Sequence, residues 1–116
     1  MSIATQHFKV GEARPTVKAR LTTGNDETPI VLADATLKFH YMPEDGDPAA
    51  DIEIVEDGDI TRIDADQADV EALLPADFTN APGKYRGEFE VTYPDGRTRV
   101  HPRKGFIPLE VRARMN

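Results

Sequence analysis

The sequence predicts an all-β fold, and three observations carry that prediction. Apolar and polar residues alternate with period two in short runs, helical periodicity is nearly absent, and the runs are bounded by Gly, Pro and Asp. At 116 residues the chain fits one domain with one modest core. Residues 1–10 are expected to form an N-terminal arm or edge strand, and residues 11–116 a single β-sandwich domain.

The elements follow in order. Gln6 to Val10 reads as an edge strand, broken by Gly11 and Pro15. From Thr16 to Thr22, Val17, Ala19 and Leu21 alternate with Lys18 and Arg20, so one face is apolar. A polar turn, "TGNDETP", and a short "IVL" segment lead to the clearest core strand, where Ala35, Leu37, Phe39 and Tyr41 share a face opposite Lys38 and His40. "PEDGDPAAD", residues 43–51, is a loop that either crosses between sheets or makes an exposed excursion. Ile52 and Ile54 start another strand, which "EDGD" turns into "ITRI"; Val70, Ala72 and Leu74 then alternate before Pro75. "ADFTNAP" is read as one helical turn with Asp77 or Thr79 as its cap, or as an irregular corner.

The most informative stretch is "GKYRGEFEVTYPDGRTRVHP", residues 83–102. Tyr85, Phe89, Val91 and Tyr93 share one face, and Arg86, Glu88, Glu90 and Thr92 the other. In "YPDGR", Pro94 presets φ at the first corner, Asp95 suits the second, and Gly96 takes the positive φ of a bulged hairpin. Residues 97–101 return antiparallel, Pro102 ends that strand, and Ile107, Leu109 and Val111 form the last one. Seven to nine short strands at this spacing predict an immunoglobulin-like antiparallel β-sandwich, with a small barrel as the alternative.

Composition narrows the function classes. No apolar run reaches the roughly 18 residues needed to cross a bilayer, so no membrane partner is expected. "MSIATQHFKV" lacks a basic segment followed by an apolar one, so the protein is expected to be made in a cytoplasm. Without cysteine there are no disulfides, thiolate nucleophiles or thiolate metal sites. A formal charge of -7 argues against nucleic acid as a partner. The charge is uneven, with acid concentrated in residues 44–77 and Arg near the C-terminus, an asymmetry able to steer a neighbouring subunit.

No pattern of catalytic residues emerges. The acidic turns (Asp45 and Asp47, Asp57 and Asp59, Asp64 and Asp66) offer oxygen ligands for calcium, but none continues into the spaced ligands of an EF-hand, and turns demand the same residues. His7, His40 and His101 lie on three different strands without zinc-ligand spacing. Glu88 and Glu90 are explained by strand alternation, and Ser2, the only serine, is terminal. Arg97, Arg99, Arg103, Lys104, Arg112 and Arg114 form a basic tract broken by Phe106, read as a salt-bridged strand face or subunit contact. No catalytic, cofactor-binding or metal residue is therefore assigned.

"RPTVKARLTTGNDETPIVLADATLKFHYM", "DIEIVEDG" and "ADFTNAPGKYRGEFEVTYPDGRTRVHPRKGFIPLEV", in that order, resemble small virion proteins of tailed phages related to the N-terminal domain of the phage baseplate upper protein. The resemblance runs over about residues 10 to 113. It rests on Pro15, Thr28, Pro29, Leu32, Ala35 and Thr36 in the first half, and on Pro82, Gly83, Tyr85, Glu88, Phe89, Val91, Tyr93, Asp95, Gly96, Arg97 and Pro102 in the second. The chain departs from the family in "RVHPRKGF" and in the acidic "PEDGDPAAD". The resemblance implies a non-enzymatic virion structural protein, an assembly or adaptor module of the tail tip or baseplate that binds other virion proteins and is oligomeric in the particle. A capsid decoration protein and a carbohydrate-binding host-attachment module are the alternatives. Residues 1–10 would then be an arm that orders on assembly, so removing residues 2–9 is expected to leave a folded domain but to abolish incorporation into the particle.

Overall fold

A computed structural model describes residues 4–22, 28–102 and 105–113. Nine strands are formed: β1 (Gln6–Lys9), β2 (Thr16–Arg20), β3 (Thr36–Pro43), β4 (Glu53–Val55), β5 (Ile60–Asp64), β6 (Asp69–Leu73), β7 (Gly83–Thr92), β8 (Thr98–His101) and β9 (Ile107–Arg112). Two single 3-10 turns, Asp57–Asp59 and Ala76–Thr79, complete the regular structure.

The strands make two sheets. The larger runs β1-β9-β7-β3-β4, with β8 also on β7; the smaller runs β2-β6-β5. This splits the chain as an immunoglobulin-like sandwich does, the second, fifth and sixth strands facing a sheet built from the rest. One pairing departs from the antiparallel expectation: β1 lies parallel to β9, Gln6 opposite Leu109 and Phe8 opposite Val111. The two segments are far apart in sequence, so nothing local constrains their relative direction.

Period-two alternation sets the core. Leu37, Phe39, Phe89 and Val91 are fully buried from the larger sheet, and Val17, Val70 and Ala72 from the smaller. A chain of aromatic contacts runs through the core on the side of the larger sheet: Phe8 meets Phe78 edge-on, Phe78 meets Tyr41 and Tyr85, and Phe39 touches both Tyr41 and Phe89. Such pairs add to the stabilisation from burial alone.

Several local expectations change. The 43–51 segment does not cross between sheets, because β4 is the direct neighbour of β3. In the 3-10 turn at Ala76–Thr79 neither Asp77 nor Thr79 caps; the N-cap position is Pro75. Thr79 is buried and its Oγ1 donates to the Glu12 and Ala76 carbonyls. β1 is part of the folded domain rather than a free arm, since Phe8 is buried against Phe78 and the Val10 N–H donates to the Arg112 carbonyl. These contacts tie β1 to the domain, so their loss is expected to lower its stability.

Candidate interaction surface

The turn between β7 and β8 is built as its residues dictate. Gly96 has φ +90°, its N–H donates to the Tyr93 carbonyl, and the Tyr93 N–H donates to the Arg97 carbonyl. Asp95 Oδ1 accepts the Arg97 N–H and Oδ2 accepts Arg97 Nε at 2.7 Å. Beyond the turn, β8 follows β7 only as far as His101 opposite Phe89, and β9 resumes with Ile107 opposite Gly87. Glu88 thus lies between the two ladders, with buried Pro102 just past the end of one and exposed Phe106 just before the start of the other.

Phe106 is 45% exposed, and the Arg86 guanidinium lies 5.2 Å from its ring centroid. Arg86 Nη2 also reaches Met42 Sδ at 3.7 Å. With Pro48 and Ile52 these groups line an apolar depression of about 190 Å³, below the size of most small-molecule sites. His40 stands opposite Glu88 on β7 and Ile54 on β4, while Glu90 stands between Lys38 and Val100. His40 Nε2 is buried without a hydrogen-bond partner among the described residues, 4.0 Å from Glu90 Oε2.

The two sides of the sandwich differ. On one, the Gln6 carboxamide of β1 imitates a peptide group: its Oε1 accepts the Lys18 N–H and its Nε2 donates to the Lys18 carbonyl, occupying the edge of β2. On the other, β4 and β5 end their sheets and expose Ile54 and Ile63, with exposed Ile52 just before β4. β8 also has one edge unpaired among the described strands. The acidic run lies at β4: residues 44–59 hold eight Asp or Glu and no Lys, Arg or His.

The residues weighed from the sequence separate in space. Asp47 Oδ1 accepts the Ala49 N–H, and Asp64 Oδ1 accepts those of Asp66 and Gln67, as turn carboxylates do. Asp57 Oδ1 accepts the Leu37 N–H at 2.8 Å and Arg62 Nη2 at 3.0 Å, and Arg62 also donates to the Ala35 carbonyl. The Leu37 N–H, with help from Arg62, holds the Asp57 carboxyl below the usual carboxylate range. His7 pairs with Glu110 at 3.3 Å, and His101 sits opposite Phe89, where burial lowers its pKa. Among the described residues no three His, Asp or Glu side chains converge as a metal site would require.

The basic tract divides similarly. Arg97 is paired with Asp95 and Arg112 with Glu110, whereas Arg99 makes no ion pair among the described residues. Ser2, Arg103, Lys104 and Arg114 lie outside the described residues. Sequence reading missed the Arg86–Phe106 contact and the exposed isoleucines. The available signal was two isoleucines flanking a glutamate beside an acid-rich loop, a pattern unlike a core strand.

The arrangement is suited to binding along sheet edges and an outer face, with apolar groups set among unpaired charges. No helix among the described residues is long and apolar enough to cross a membrane. No protein-family model matches the sequence, and no curated protein compared with it does.

Proposed function

We propose that this chain is a non-enzymatic structural protein of a tailed virus particle, an assembly or adaptor module of the tail tip or baseplate that binds neighbouring subunits. One observation carries the reading: the hairpin whose residues resemble the baseplate-associated family is also the element around which the fold is organised. Phe89 and Val91 are buried, Tyr85 and Tyr93 pack on the core, Asp95 and Gly96 build the turn, and Pro102 is buried where the strand leaves the sheet. The resemblance therefore sits on positions with structural duties, and the exposed apolar and charged groups on the same sheet suit contacts between proteins.

A carbohydrate-binding reading wants aromatic rings open in a groove. Here Tyr41 is buried, Tyr85 packs on Phe78, and Phe106 is already covered on one side by Arg86. The test is mass spectrometry of purified tailed particles from the virus or prophage that encodes the chain. The protein is expected at a fixed copy number relative to tail subunits; its absence from infectious particles would overturn the proposal.

A further inference from the structure

We propose that copies of this chain associate head to tail by strand addition, β4 of one copy pairing antiparallel with β8 of the next. This names a partner for the sheet edges described above and does not depend on where the protein acts.

Three features fit the two edges to one another. The first is direction. β8 runs opposite to β7, β7 to β3, and β3 to β4. Within one copy β4 and β8 are therefore antiparallel, and a copy shifted sideways along the sheet presents its β8 to β4 in the orientation an antiparallel ladder needs, outer faces on the same side.

The second is the hydrogen-bonding phase. The Tyr93 N–H donates to the Arg97 carbonyl, so the alternation of an antiparallel ladder makes Val91–Arg99 and Phe89–His101 the bonded pairs of β7 and β8. The N–H and C=O groups of Thr98 and Val100 then point away from β7. Carried across β7 and β3 by the same alternation, Phe39–Val55 and Tyr41–Glu53 are bonded, and Ile54 aims its backbone groups outward, with Ile52 just before the strand able to extend that edge. The two free edges thus carry bonding groups on the residues that face outward from the sandwich, and one register joins them, with Ile54 opposite Thr98 and Ile52 opposite Val100.

The third is charge. That register places Glu53 directly opposite Arg99, two side chains that make no ion pair within the chain among the described residues. It also sets exposed Ile52 against exposed Val100. Pairing β4 with β4 would bring the acid of residues 44–59 against itself, and pairing β8 with β8 would oppose Arg97 and Arg99 to their copies; like charges so placed are disfavoured. The complementary contact is heterologous, so it builds a ring if its rotation closes and a chain if it does not.

Sedimentation velocity on the full-length protein tests this. Association is expected to grow with concentration at low ionic strength and to weaken in high salt. E53R and R99E each raise the concentration needed for association by roughly tenfold or more, and the double variant E53R/R99E returns it close to that of the unmodified protein. Because the Ile54 and Val100 N–H groups face the open edges, I54P and V100P remove one edge each without breaking the internal ladder. Each alone stays monomeric, and an equimolar mixture gives a heterodimer that grows no further. A monomer at every concentration, association unmoved by the charge reversals, or self-association of either proline variant would overturn the proposal. Should a proline variant lose its strand signal in circular dichroism, the charge series decides.

Discussion

Gly87 allows β7 to pass over the core. A Cβ there would lie 2.4 Å from Cζ of Phe39, whose ring is fully buried and held against Phe89 and Tyr41, and 3.2 Å from the His40 carbonyl oxygen. With no room for the ring to yield, G87A is expected to cost about 1–3 kcal/mol in urea unfolding. The period of the strand makes position 87 inward-facing, which is legible in the sequence. That it needs glycine is not, because the obstacle is a ring contributed from another strand. Asp57 is a second such residue. Its "EDGD" setting marks a turn, yet its carboxylate reaches across to the Leu37 N–H and to Arg62. D57A is expected to destabilise by about 1–3 kcal/mol, the cost of losing a charged acceptor and leaving a donor unmet, with D57N recovering part of that loss.

At the scale of elements, alternation identified the strands and their buried faces wherever a strand is covered on one side, as in β3, β6 and β7. It was less informative at the edges. Ile54 of β4 and Ile52 just before it are 47% and 40% exposed, whereas Val55, opposite buried Phe39, enters the core; the pairing with β3, not the apolar composition, sets which face is inward. In β5 a register shift between Arg62 and Asp64 leaves Ile63 outside. β1 was legible as a strand but not as a parallel partner of β9. Its contribution can be measured: F8A, by opening the contact with Phe78, is expected to lower stability by about 3–5 kcal/mol. Q6A, which removes two hydrogen bonds at an exposed edge, should lower it by about 1 kcal/mol and leave β2 open to pairing. Thermal unfolding with and without residues 2–9 bears on the same point, the truncated chain melting at lower temperature.

For the whole molecule, stability should depend on pH in a defined direction. The Leu37 N–H with Arg62 lowers the pKa of Asp57, Arg20 that of Asp69, the Arg97 N–H and side chain that of Asp95, and Arg112 that of Glu110. Carboxyls lowered by folding contribute stability that is present above the unfolded carboxylate range, about pH 4, and is lost as pH falls through the folded values. His101, lowered by burial, adds a contribution already declining as pH drops through about 6.5. Burial, with smaller effects from Glu53 and Asp77, pushes the Tyr41 hydroxyl up to about 12, so its contribution is whole below the unfolded value of about 10 and is lost as pH rises from there through the folded value. Urea midpoints measured between these limits should be flat near neutrality and fall first on the acid side, with D57N flattening the decline below pH 4.

The proposed place in a virus particle rests on a hairpin whose residues build the fold, and on exposed edges and an outer face suited to contacts with other subunits. Cryo-electron microscopy of intact tailed particles, at a resolution that traces the 83–102 hairpin, tests it most directly. The account predicts this sandwich at the tail tip or baseplate, with the outer face around Arg86 and Phe106 or the β4 and β8 edges covered by neighbouring chains. Particles complete without it, or copies bound only on the capsid, would contradict it.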